Sequence, residues 1–389
     1  MTRVFLDVGE PVKTYNGPAL FSSGHRVFFL FTALSAVLFL GLWIAAYVGQ
    51  LEISSFWHGH EMVFGFSAAA ISGFLMAAVP KWTNTENFQG NKVIFLAAIW
   101  LLGRIGFSLA ELNEELFFLA WFDLLYLPLI ALEITRRLVG SGNKRNYIVG
   151  VILFSFFACN VVWHFWDEPT AVRAGVYVIV AIATLISGRV IPAFTQNALK
   201  LKYQSEITCH TPQWTHLTAV ILVLATAVLT LLDAPSLLSG SVAGLAAVVL
   251  FYRMLGWHSL HTLDNPIVWV LHAAYIWLPI GFALKALTDF SLWSDANSAL
   301  HALTTGGIGL LILAVASRAA LGHSGRPLVA SLLTVLSYML VFMATAMRTF
   351  AMGESWVIAS GGLWVLGFLL FAIVYAPILI KPRIDGLPG

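Results

Sequence analysis

Residues 27–48 read VFFLFTALSAVLFLGLWIAAYV, without one charged side chain. A helix needs about 20 apolar residues to cross the hydrocarbon core of a bilayer. The run is too long for the apolar region of a signal peptide, and the flank before it, MTRVFLDVGEPVKTYNGPALFSSGHR, is too polar for one. The stretch is expected to be a first membrane helix. Carried outward along the chain, the same reading gives twelve helices, near 27–49, 60–80, 91–110, 115–138, 147–166, 171–190, 214–232, 237–256, 266–288, 299–317, 327–347 and 355–379. Composition agrees: of 389 residues 59% are hydrophobic and 10% charged, against about 25% charged in soluble domains. The expectation is an all-α, polytopic integral membrane protein, a single transmembrane-helix bundle domain over 1–389, with the lipid bilayer as its surroundings.

The formal net charge of +2 leaves no concentrated basic face for nucleic acid. The placement of charge says more. Of the 21 Lys and Arg, all but Arg104, Arg173, Lys285 and Arg348 fall on the side of the N-terminus when the helices alternate. Glu52, Glu111, Glu114, Glu115, Asp167, Glu168, Asp233, Asp289, Asp295 and Glu354 collect on the other. The positive-inside rule then predicts that both termini face the cytoplasm. The two cysteines, Cys159 and Cys209, form no framework and no C-x-x-C-H site, so any haem would be the noncovalent b type.

The eleven histidines sort by depth. His58, His60, His164 and His301 are expected in an outer layer, and His272 and His323 in an inner one, His323 lying in the connection after helix 10. FWHGHEM (56–62) places two imidazoles and a carboxylate at a helix start, where His58 and His60 can splay into a chelate that a regular helix would not allow. Glu61 reads as a ligand, a ligand's partner or a proton carrier, and the string also suits an interfacial cap. His25, His210, His258 and His261 read as interfacial or solvated. Arg104 and Asp123 lie on neighbouring helices and can pair, or serve a proton or ion relay. SGRVIPAFTQN (187–197) reads as the end of helix 6 at Pro192, or as a break whose freed carbonyls line a cavity.

Five ordered strings resemble the NnrS family of membrane proteins associated with the bacterial nitric-oxide response. They are HGHEMVFGFSAAAISGFLMAAVPKWT (58–83), NKRNYIVGVILFSFFACNVVWH (143–164), ISGRVIPAFTQNAL (186–199), NPIVWVLHAAYIWLPIGFAL (265–284) and HALTTGGIGLLILAVASRAALGHSGRPL (301–328). SSGHRVFFL (22–30) departs from the family, with His25 and Val27 where Phe and Pro are usual, so His25 reads as a local peculiarity without a ligand role. The resemblance implies an inner-membrane protein with haem and copper. The matching metal-ligand candidates are His58, His60, His164, His272, His301 and His323. On that reading His58, His60 and His301 surround an outer metal centre, Glu61 delivers protons, and His164 completes the centre or ligates haem. His272 is a further axial candidate, and Arg189, Arg318 and Arg326 are candidates for haem propionates. The expected activity is binding of nitric oxide, with its reduction at the expense of an unknown electron donor. A non-catalytic sensor or protective protein, and a secondary transporter with a proline-broken helix, are the rival classes.

Overall fold

The computed structural model describes residues 15–166, 169–203 and 207–386. Arg3, Lys13, Asp167 and Glu168, counted in the charge sorting above, lie outside the described residues. Among the described residues there is no strand, and twelve helices are long and apolar enough to cross a membrane. We number them α1 (Gly24–Tyr47), α2 (Ser55–Thr83), α3 (Asn91–Leu112), α4 (Glu114–Gly140), α5 (Lys144–Trp166) and α6 (Pro169–Tyr203). The second half comprises α7 (Trp214–Leu231), α8 (Ser236–Leu255), α9 (Pro266–Asp289), α10 (Ala296–His323), α11 (Leu332–Phe350) and α12 (Glu354–Ile380). The chain is a multi-pass membrane protein. Its starts and stops alternate between a basic end, which holds both ends of the described chain, and an acidic end.

Four helices form the centre. In α2, α6, α9 and α10, 67–78% of the most apolar stretch is buried inside the protein, whereas the other eight bury half or less and turn residues such as Leu38, Ile105, Val151, Ile221, Val248 and Ile373 outward. Small residues let the centre close. Ala68, Ala69, Ala70 and Gly73 of α2 are buried, and a Cβ at Gly73 would press on Phe29 of α1, the close approach by which helices associate in lipid. The ring of helices shuts at the basic end, where Arg26 Nη1 donates to the carbonyls of Leu379 (2.9 Å) and Lys381 (2.6 Å).

Three departures from regular α-helix shape the sites. α2 and α10 widen into π turns at Glu61–Ser67 and Ala302–Leu310, each beginning directly after a histidine; such turns often mark functional positions. α4 begins as a 12-residue 3-10 helix, Glu114–Leu125, and becomes α only from Tyr126. Its three-residue period puts Ala120 and Asp123 on one buried face. Pro192 does not end α6. The helix runs on to Tyr203, while the guanidinium of Arg253 packs against Gly188, whose carbonyl the proline leaves without a donor, and Nη1 donates to Thr184 O at 3.3 Å. Arg253 comes from α8, and the expected stop at Pro192 is corrected. His323, expected in a connection, is the last residue of α10.

Candidate metal and cofactor sites

The FWHGHEM segment is helical from Ser55, capped by the Ser54 hydroxyl, which accepts from Trp57 N at 3.0 Å. In a helix, residues two apart point about 200° away from each other. His58 and His60 therefore face different neighbours, and no chelate forms between them.

His58 faces a cavity of about 380 Å³ at the acidic end, lined also by Trp43, His301, Thr304, Arg348 and Trp364. Its ring stacks on Trp43 (centroids 4.4 Å apart, 24° between planes), and its Nδ1 is buried with no hydrogen-bond partner. His301 Nδ1 lies 2.8 Å from Asn297 O. A carbonyl only accepts, so Nδ1 carries the proton and the Nε2 lone pair is left for a ligand. Asp295 caps α10 beside this cavity, accepting from Asn297 N at 2.9 Å and Ser298 Oγ at 2.7 Å. Burial works against its ionisation, but the Ser298 hydroxyl, the Asn297 amide and Arg348 outweigh that and hold the carboxyl below its ordinary range. A second, apolar cavity of about 70 Å³ follows deeper in the bundle; Ile179 and Ile308 line both.

His60 turns the other way, into a buried polar cluster. Asp123 Oδ2 is 3.2 Å from His60 Nε2, 3.1 Å from His164 Nε2, and accepts from Asn160 Nδ2 at 2.8 Å. Arg104 bridges the acids: Nη1 donates to Glu61 Oε1 at 2.6 Å, and Nη2 pairs with Asp123 Oδ1. Two glycines flanking the arginine bring its backbone against α4. A Cβ at Gly103 would crowd Asp123 Cα, and one at Gly106 would meet the Leu119 carbonyl. Phe107 stacks on His60 at 3.8 Å and 15°. Glu61 is fully buried in this cluster and is not on the wall of the cavity.

The inner candidates also separate. His272 has both ring nitrogens engaged, Nε2 with Thr195 Oγ1 (2.8 Å) and Nδ1 with Ser259 Oγ (2.9 Å). His323 instead meets His25, with ring centroids 4.7 Å apart. His25 is held by Ser23 Oγ at 2.8 Å. Arg189 donates to Asn146 Oδ1 (2.6 Å), Arg318 lies 3.9 Å over the Phe194 ring, and Arg326 keeps a buried Nη1 without a partner. All three arginines belong to the basic end, so none reaches the cavity of His58 and His301; the cation there is Arg348.

Four participants were not visible as such in the sequence. Asn160 stands one turn before His164 on α5, a spacing that puts both on one face and would have exposed it. Arg348 is the lone basic residue of α11 and lies at its acidic end, a placement that singles it out in the sequence. Asp123 was recognised as a partner of Arg104 but not of the imidazoles. His25 carried no local signal, since its partner is at the far end of α10.

Twelve apolar helices around buried imidazoles and paired charges define a polytopic helical membrane protein with candidate metal sites. The chain belongs to the NnrS family: the family described as NnrS protein matches residues 19–383, nearly its whole length. No match was found among curated proteins.

Proposed function

We propose that the protein binds haem b and copper and acts on nitric oxide in a bacterial inner membrane, within the nitric-oxide response with which the NnrS family is associated. Support comes first from the cavity at the acidic end. Its volume of about 380 Å³ falls in the range of roughly 300–1,000 Å³ usual for cofactor and ligand pockets. His58, and His301 with its Nε2 left free by the Asn297 carbonyl, are imidazoles on the cavity wall, the donor type a haem iron takes. Arg348 supplies the cation for a propionate. A bound haem supplies a redox-active iron that takes nitric oxide as ligand. The chain holds the imidazoles in orientation through Trp43 and Asn297, excludes water with the Trp43 and Trp364 walls, and offers a small apolar gas the cavity lined by Phe29, Ile182, Leu271 and Leu311.

Haem content of the detergent-purified full chain tests the assignment. His58→Ala and His301→Ala are each expected to lose the Soret band at least tenfold, whereas His272→Ala, whose ring is already hydrogen-bonded to two hydroxyls, keeps it. A Soret band unchanged in both cavity variants would overturn the reading. Anaerobic addition of nitric oxide to the reduced protein then separates turnover from binding: two nitric oxide molecules, two electrons and two protons give one nitrous oxide and one water. Nitrous oxide in excess of protein marks a reductase; stoichiometric uptake without it marks a sensor or protective binder.

A further inference from the structure

We propose that His60, Asp123 and His164 form a transition-metal site, separate from the cavity of His58 and His301, that takes a divalent first-row cation such as copper. One ligand atom from each of the three lies within 4.8 Å of the others. The two imidazole Nε2 atoms stand 3.2 and 3.1 Å from the same oxygen, Asp123 Oδ2. Ligands bonded to one metal at about 2.0–2.2 Å are spaced by roughly 3 Å, which is the spacing of each imidazole nitrogen from Asp123 Oδ2. Two imidazoles and a carboxylate suit copper, zinc or iron.

The cluster carries a net negative charge, which attracts a cation. Glu61 and Asp123 are two buried carboxylates, and Arg104 is the one guanidinium between them. With both imidazoles neutral the cluster is one positive charge short. Isolated charge in an apolar interior is strongly disfavoured, so a proton or a metal must make up the difference. The rest of the cluster is arranged as support around a metal. Asn160 Nδ2 donates to the ligand oxygen and Phe107 fixes the His60 ring, while Asn160 Oδ1, 3.1 Å from His60 Nε2, accepts the proton that a metal on that nitrogen would replace. His60 Nδ1 faces Glu61 Oε1 at 3.5 Å, the outer partner that a metal-bound imidazole commonly has. His164 is the least buried of the three side chains and lies toward the acidic end of α5.

The inference deepens the metal-binding reading above but does not require haem in the cavity. Its test is copper titration of the full chain in detergent, followed by desalting and metal analysis. His60→Gln and His164→Gln are expected to lose one copper per chain relative to wild type while the Soret band, helicity and monodispersity stay unchanged. In wild type, pulsed paramagnetic resonance of the Cu(II) form is expected to show coupling to two imidazole nitrogens, a readout that needs no variant to fold. Folded variants that retain the full copper content would overturn the proposal, and so would a wild-type signal with fewer than two coupled imidazoles. The latter result, with an intact haem spectrum, would leave only a proton in the cluster. Loss of haem in the cavity variants bears on the other site alone.

Discussion

Removing the Arg104 guanidinium, 5% exposed, leaves two buried carboxylates, Glu61 and Asp123, without the cation they share. Breaking a buried pair this way costs about 3–5 kcal/mol. Arg104→Met is expected to lose stability on that scale by thermal unfolding in detergent, and Arg104→Met combined with Glu61→Gln and Asp123→Asn much less, because no charge is then stranded opposite a missing partner. At Asp295 the sign runs with acid. Its carboxyl is held below the ordinary range in the folded protein, so its contribution is complete above the unfolded value of about 3.9 and is lost as pH falls through the lower folded one. Wild type should therefore show an acid loss of thermal stability below about pH 4 that Asp295→Asn lacks. The Arg104–Asp123 pair was legible in the sequence because few other ionisable groups interrupt the apolar runs at that depth. The imidazoles around Asp123 were not, since which face an aspartate takes depends on the winding of its helix.

At the level of elements, apolar length alone located all twelve spans, because in lipid a helix must satisfy its own backbone. What apolarity does not encode is the local pitch. The π turns of α2 and α10 and the long 3-10 start of α4 carry the same residue types as the α-helices around them, and packing rather than propensity selects them. The 3-10 segment matters most for the site, since it aligns Asp123 with Ala120 against α3. Gly106→Ala tests that contact. Its methyl group would meet the Leu119 carbonyl, and overpacking of this kind costs about 1–3 kcal/mol. A lowered unfolding temperature is expected, together with weaker copper retention, because α4 must shift to make room. Gly362→Ala on α12, where an added Cβ meets nothing, is the control and should leave both unchanged.

For the whole molecule, the segregation of charge makes a topological prediction. The basic end is expected to face the cytoplasm, so a fluorescent protein fused after Gly389 should fluoresce and alkaline phosphatase fused there should be inactive. The candidate cavity and the His60–Asp123–His164 cluster would then open toward the opposite side of the membrane. The closure of the helix ring at Arg26 adds a matter of timing. Its hydrogen-bond acceptors, the carbonyls of Leu379 and Lys381, lie 353 and 355 residues further along the chain. At the usual synthesis rate of about 5–20 residues per second, α1 waits roughly 20–70 s in the membrane with that guanidinium unengaged. During that interval the headgroup region has to hold the charge that the carbonyls will later hold, and a chain arrested before α12 keeps an open seam along α1.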